Sequence, residues 1–275
     1  MTTAPPDVEV AAPPRFSWGL APAFGVSVAG FLLFGLQHEP SGYAVLAVSV
    51  VLGFVVDRDL GKSLLLIGFS LGLIGTISLA ADISYGNIML MGSVLLFAVV
   101  VPYVVDRFVF KRHIVRFPIN TGRRWTTAEK WYLAIVVGLA WVIMPFYFIR
   151  SGTYLNWPAV SEPTEIIRLF ICVNAVGLWD ELFFICTAFA LLRRHFRLWQ
   201  ANILQAIIFV SFLWELGYRS WGPFLTTPFA LIQGYIFNRT RSLPYVVSVH
   251  LIFDCVLWAI LLHAHNPGWL PIFFY

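Results

Sequence analysis

Two adjacent carboxylates lie within a strongly apolar stretch of the chain, WDELFFICTAF at residues 179–189. Asp180 and Glu181 have no lysine or arginine within this stretch. Neighbouring residues of a helix point in directions about 100° apart, so one structural partner would rarely satisfy both side chains. A carboxylate shielded from bulk water can take a proton from a nucleophilic water molecule. The pair therefore predicts a general base, with purely structural burial as the alternative.

A second ionisable pair occurs in SVHLIFDCV, where Asp254 follows His250 by four residues. This spacing places both side chains on one face of a helix, so they can act on the same object. We expect a catalytic or ligating pair. The structural alternative is a local hydrogen bond that makes burial of both groups less costly.

A single acid, Glu215, stands in SFLWELGY near the expected end of another apolar segment. We expect it to be an auxiliary group of the same site. The structural alternative is an ion pair with Arg219, four residues later in the chain.

Acids and a histidine in a desolvated pocket suit hydrolysis by an activated water molecule. The same nitrogen and oxygen atoms could bind a catalytic zinc ion. The sequence has no HExxH pair and no CxxC pair, so we predict a site without a metal or other cofactor.

The composition indicates where these residues lie. Of the 275 residues, 59% are hydrophobic and 12% are charged, and the mean hydropathy is +0.80. Segments of about 20 apolar residues are long enough to cross a hydrocarbon layer of about 30 Å. We therefore predict an all-α, polytopic transmembrane helix bundle in contact with membrane lipid, with about nine spans. They lie near 18–37, 42–57, 63–81, 88–106, 129–149, 164–192, 199–217, 222–238 and 243–263.

The basic residues predict the orientation of this bundle. Clusters at 111–124, 193–197 and 239–241 follow the fourth, sixth and eighth spans, so all three lie on one side. Short cytoplasmic loops carry an excess of lysine and arginine, which places the N-terminus in the cytoplasm. The net charge of +4 is therefore an orientation signal, and we expect no nucleic-acid partner.

Three regions follow from these patterns. Residues 1–16, rich in proline and alanine, form a cytoplasmic N-terminal tail, and residues 17–128 form an N-terminal transmembrane region with a basic cytoplasmic loop. Residues 129–275 form a second helix bundle that contains nearly all the ionisable residues expected within the membrane. A charge there costs at least about 2.5 kcal/mol, so such residues need a function.

Two segments carry a resemblance to a known family. DELFFICTAFALLRR resembles the first motif of the CAAX protease and bacteriocin-processing (CPBP) intramembrane proteases, which contains adjacent glutamates and an arginine. GYIFNRTRSLPYVVSVHLIFD resembles their last motif, in which histidine is followed after three residues by asparagine or aspartate.

The resemblance implies an intramembrane endopeptidase that acts on lipidated or otherwise membrane-anchored proteins or peptides. The location expected is the cytoplasmic membrane of a bacterial or archaeal cell. Asp180 matches the water-activating glutamate and Glu181 the second glutamate. His250 and Asp254 match the pair that stabilises the oxyanion.

The chain departs from this pattern at three positions. Asp180 is one methylene shorter than glutamate, and the family arginine falls on Ile185. The middle motif, Phe-x-x-x-His, has no histidine within residues 198–238, and Glu215 stands about where it is expected. Three hypotheses remain: a divergent protease in which Glu181 takes over as base, a scaffold protein with a decayed site, and a proton-coupled carrier.

Overall fold

The computed structural model describes residues 17–275, so the predicted tail at 1–16 lies outside the described residues. Within 17–275 the chain is helical and contains no strand. Nine continuous helices follow one another. They are α1 (Leu20–Gly35), α2 (Glu39–Val56), α3 (Arg58–Ile74), α4 (Tyr85–Val109), α5 (Thr127–Arg150), α6 (Pro163–Arg193), α7 (Leu198–Leu216), α8 (Pro223–Thr240) and α9 (Leu243–His265).

The predicted helical membrane bundle is confirmed. Six of the nine described helices, α2, α4, α5, α6, α7 and α9, are long and apolar enough to cross a membrane. Helices α1 and α3 are shorter, and α8 contains polar residues along its length. The long sixth segment is a single helix of 31 residues, which at about 1.5 Å per residue exceeds the bilayer thickness.

The third predicted segment, 63–81, is displaced from the observed helix. Helix α3 begins five residues earlier because the Asp57 side chain accepts a hydrogen bond of 2.8 Å from the backbone N–H of Leu60. It ends at Ile74, and a non-helical link at 75–84 follows. Leu79 in this link is fully buried, so its hydrophobicity extended the predicted segment although the backbone there is not helical.

Helix α6 is the central element of the second half. It packs against α4, α7, α8 and α9, and α9 in turn lies between α5 and α6. Trp179 of α6 stacks on Phe183, and its indole N–H donates to the carbonyl oxygen of Leu95 in α4 at 2.6 Å. Phe184 stacks on Phe209 of α7 with ring centroids 4.3 Å apart. These contacts hold the acid-bearing part of α6 against α4 and α7.

Helix α6 changes its winding at the acid pair. Asp180 ends its α-helical part, and residues Glu181–Phe189 form a π-helix before the α-helix resumes. The Thr187 hydroxyl donates to the carbonyl oxygen of Leu182, five residues earlier, at 2.9 Å. Such π segments are rare in helices and are frequently found at functional sites.

Candidate active site

The structure brings four of the five predicted site residues together. Asp180 and Glu181 of α6 face His250 and Asp254 of α9, and each of the four side chains is buried. The two pairs are about 70 positions apart in the chain. Their meeting supports a common site on the facing sides of α6 and α9.

Glu181 holds the imidazole of His250. Its Oε1 lies 2.8 Å from His250 Nδ1 and accepts a second hydrogen bond of 2.7 Å from Gln233 Nε2 of α8. Gln233 Nε2 also donates to the carbonyl oxygen of Val246 at 3.1 Å, which ties α8 to α9. A carboxylate accepts only, so we assign the proton to His250 Nδ1 in this contact.

The other ring nitrogen of His250 faces the two aspartates. Nε2 lies 3.7 Å from Asp180 Oδ2 and 4.0 Å from Asp254 Oδ1. The second oxygens, Asp180 Oδ1 and Asp254 Oδ2, are buried and have no hydrogen-bond partner within residues 17–275. An unsatisfied buried polar atom costs about 1 to 3 kcal/mol, so these oxygens are suited to bind a water molecule or a substrate group.

A glycine permits this close approach of the two helices. A Cβ atom at Gly177, one turn before Asp180, would lie 1.8 Å from Asp254 Oδ2 and 3.1 Å from the His250 ring. A larger residue at this position would displace the Asp254 carboxylate from its place beside His250.

Two cavities meet at the acid–histidine cluster. The larger one, here the apolar cavity, has a volume of about 300 Å³ and lies between α5, α8 and α9. The smaller one, here the narrow cavity, has a volume of about 50 Å³ and lies between α6, α7, α9 and residues 81–83. Four residues line both cavities: Leu213, Tyr218, His250 and Asp254.

The two acids of the first motif differ in their access to these cavities. Asp180 lines the narrow cavity. Glu181 is fully buried and lines neither cavity. Only Asp180 of this pair can therefore contact a molecule that enters.

The structure places Glu215 apart from the cluster. Its Oε1 accepts a hydrogen bond of 3.3 Å from the backbone N–H of Leu79. Glu215 lines neither cavity, and the Arg219 guanidinium lies over the ring of Trp214. The carboxylate thus fixes the link after α3, and its position argues against the predicted auxiliary role.

Phe209 and Leu213 of α7 have the spacing of the Phe-x-x-x-His motif, with leucine in place of histidine. The ring of Phe209 lies 6.1 Å from the His250 ring, and Leu213 follows Phe209 by four residues and lines both cavities. Within this spacing Leu213, and not Glu215, lines the two cavities.

Sequence reasoning missed two residues of the site. Gln233 is a neutral polar residue in α8, and Tyr218 follows the end of α7. Neither carries a charge that would stand out in an apolar sequence. Within the described residues, no group of three His, Cys, Asp or Glu side chains has the arrangement of a metal site.

A match to a known family covers the part of the chain that carries the acid–histidine cluster. Residues 162–256 match the family described as type II CAAX prenyl endopeptidase, Rce1-like. The matched range contains all four clustered residues as well as Gln233 and Tyr218. No curated protein and no solved structure matches the chain.

Proposed function

We propose that the chain is a member of the CAAX protease and bacteriocin-processing family and an intramembrane endopeptidase for prenylated peptides, on the premise that residues 162–256 match the Rce1-like family. The observation that carries the proposal is the buried cluster of Asp180, Glu181, His250 and Asp254 between two cavities. We also propose that the protein lies in the inner membrane of a bacterial or archaeal cell with its N-terminus in the cytoplasm.

We assign the role of general base to Asp180. It lines the narrow cavity, and one of its oxygens has no hydrogen-bond partner within the described residues. A water molecule bound there would also lie near His250 Nε2 and the free oxygen of Asp254. These two groups orient the water, so the lone pair of its oxygen can face the substrate carbonyl.

The proposed reaction needs only water and the substrate. Asp180 takes one proton from the water molecule as the water oxygen forms a bond to the carbonyl carbon of the scissile amide. The π electrons of the carbonyl group move onto its oxygen, giving a tetrahedral oxyanion. When the C=O double bond reforms, the C–N bond breaks, and Asp180 returns its proton to the leaving nitrogen. The products are a carboxylic acid and an amine.

Glu181 acts as a positioning residue. Its Oε1 is occupied by His250 and Gln233, and the side chain has no access to either cavity. It therefore fixes the tautomer and orientation of His250, whereas the alternative assignment of Glu181 as base would require it to reach water.

The apolar cavity suits the lipid chain of a prenylated peptide. It is lined mainly by apolar and aromatic side chains of α5 and α8. Several of these, Leu139, Ile143, Phe224 and Ile232, are also exposed on the outer surface of the helices, where membrane lipid would lie. A lipid chain could thus enter from the side while the attached peptide reaches His250 and Asp254.

The proposal can be tested with purified protein in liposomes. The probe is a farnesylated peptide with a free C-terminus, compared with the same peptide without the farnesyl group. We expect cleavage of the farnesylated peptide by the wild type and loss of cleavage in His250→Ala. Glu165→Gln, which changes a carboxylate near the start of α6, serves as the matched control and should cleave at the wild-type rate. Chelation of metals should leave the rate unchanged.

Absence of cleavage by a folded wild-type protein would reject the proposal. Binding of the peptide without cleavage would favour the scaffold hypothesis. Proton flux across the liposome membrane without cleavage would favour the carrier hypothesis.

A further inference from the structure

Tyr218 stands where both cavities meet. It lies two residues beyond the end of α7, outside the membrane-spanning helices, and lines both cavities together with His250 and Asp254. We propose that the Tyr218 hydroxyl is the hydrogen-bond donor to the oxyanion of the reaction. This inference rests on the proposed function.

The backbone at Tyr218 is fixed by its neighbours. Gly217 has φ +136°, and a Cβ atom there would lie 2.9 Å from Trp157 Nε1, so a glycine is required. The carbonyl oxygen of Gly217 accepts from Asn156 Nδ2 at 3.1 Å, and the N–H of Tyr218 donates to the carbonyl oxygen of Leu213 at 2.9 Å.

The ring of Tyr218 is held on two sides by aromatic residues. Phe148 and Trp157 contact it edge to face, with ring centroids 5.4 Å and 5.9 Å away. A donor held in this way costs little reorganisation when negative charge develops on the substrate, which is the property of an oxyanion hole.

The hydroxyl of Tyr218 is available to a ligand. Among the described residues 17–275 no hydrogen bond to this hydroxyl is found, in contrast to Tyr147, whose hydroxyl donates to the carbonyl oxygen of Arg219 at 2.6 Å. Burial raises the pKa of Tyr218 well above its ordinary value of 10, and the charges of Asp254 and Asp180 raise it further. The phenol therefore keeps its proton and remains a donor at neutral pH.

Tyr218 supplies a neutral hydrogen-bond donor beside the apolar side chain of Leu213. Leu213, which lines the same two cavities, cannot donate a hydrogen bond. Among the described residues that line both cavities, Tyr218 and His250 carry the polar hydrogens. Since the proton of His250 is assigned to Nδ1, which donates to Glu181, Tyr218 is left to bind the developing oxyanion.

In the reaction, Tyr218 keeps its proton throughout. The hydrogen bond from its hydroxyl strengthens as the carbonyl electrons move onto the substrate oxygen. It weakens again when the double bond reforms and the amine leaves with the proton from Asp180. Removal of one oxyanion donor typically lowers kcat by about 10² to 10³-fold.

The first test compares the wild type with Tyr218→Phe and Tyr154→Phe on the farnesylated peptide in liposomes. Tyr218→Phe keeps the ring contacts, so the thermal unfolding midpoint should be unchanged while kcat falls about 10²-fold at nearly constant KM. Tyr154→Phe, a phenol outside both cavities, should retain the wild-type kcat. A wild-type kcat in Tyr218→Phe would overturn the assignment.

The second test does not depend on turnover. Its probes are the farnesylated peptide with a phosphinate in place of the scissile amide and the same peptide with a reduced amide, which lacks the carbonyl oxygen. Tyr218→Phe should bind the phosphinate more weakly than the wild type, by at least about 10-fold, and the reduced amide equally well.

The two tests separate the inference from the proposed function. If the wild type binds the phosphinate more tightly than Tyr218→Phe but cleaves no peptide, the proposed function fails and Tyr218 stands as the donor. Equal phosphinate affinities, or binding by neither protein, would overturn the role of Tyr218.

Discussion

At the scale of single residues, the site depends on how closely α6 and α9 approach each other. Gly177→Ala would place a methyl group against the Asp254 carboxylate. We expect the carboxylate to shift away from His250 and the rate of peptide cleavage to fall by about 10²-fold. Cleavage rates and unfolding midpoints of the purified variant would measure this.

Gly92→Ala is the matched control for that change. Gly92 also lies within a helix, α4, but a Cβ atom there would meet no atom within 4 Å. It should retain the wild-type rate and gain up to about 1 kcal/mol of stability, since alanine favours the helix. Cleavage by Gly177→Ala at the wild-type rate would contradict the described geometry.

Gln233 helps to fix the side chain of Glu181, which holds the imidazole of His250. Gln233→Leu removes the donor to Glu181 and to the Val246 carbonyl oxygen. Hydrogen bonds to a charged partner contribute about 1.5 to 3 kcal/mol, so the unfolding free energy should fall by a similar amount. The cleavage rate should fall because His250 loses its fixed orientation, and an unchanged rate would show that Glu181 holds the imidazole alone.

The sequence identified the charged residues of the site more readily than the neutral ones. Asp180, Glu181, His250 and Asp254 stand out because ionisable groups are rare in apolar helices. Gln233 and Tyr218 acquire their roles only from tertiary contacts with residues distant in the chain. Glu215 stands out for the same reason, but its separation from His250 cannot be read from a sequence.

At the scale of elements, Glu215 ties α7 to the link after α3. Glu215→Ala would leave the backbone N–H of Leu79 without its acceptor, which should cost about 1 to 3 kcal/mol of stability. Glu215→Gln keeps a carbonyl acceptor and should be close to the wild type in stability. Both variants should cleave peptide at near wild-type rates, as measured in liposomes. Loss of cleavage in a stable Glu215→Gln protein would restore the auxiliary role.

The helices themselves were largely predictable, because each apolar segment corresponds to one of the nine described helices. The limits of α3 were not, since Leu79 is buried in a non-helical link. The π-helix at Glu181–Phe189 also has no hydropathy signal, because it changes the winding of a segment that is apolar throughout.

At the scale of the whole molecule, a polar network joins the two halves of the chain. His195, in the link between α6 and α7, lies with Nε2 3.0 Å from the Ser63 hydroxyl of α3. Asp59 of α3 accepts a hydrogen bond from Arg194 at 2.5 Å and another from Arg112 at 3.1 Å. These contacts connect α3 with the link between α6 and α7, which lies within the matched segment.

Burial lowers the pKa of His195 below its ordinary value of 6.5, although Asp59 opposes this shift. The unfolded chain therefore binds the proton at a higher pH than the folded protein does. The contribution of neutral His195 to the free energy of unfolding is fully present above about pH 6.5. It is lost as the pH falls through the lowered pKa of His195 in the folded protein.

Thermal unfolding in detergent at about pH 7.5 and about pH 5 would test this. We expect the wild type to lose more stability between the two values than His195→Gln does. His38→Gln, a change at an exposed histidine, should behave as the wild type. An identical pH dependence in all three proteins would contradict the predicted contribution of His195.

Asp180 is the residue that we propose to activate water for peptide hydrolysis. Single-turnover cleavage of the farnesylated peptide by the wild type, Asp180→Asn and Asp180→Glu tests this role most directly, with peptide binding measured in parallel. We predict that Asp180→Asn binds the peptide but cleaves it about 10³-fold more slowly, whereas Asp180→Glu retains measurable cleavage. Cleavage by Asp180→Asn at the wild-type rate would contradict this role.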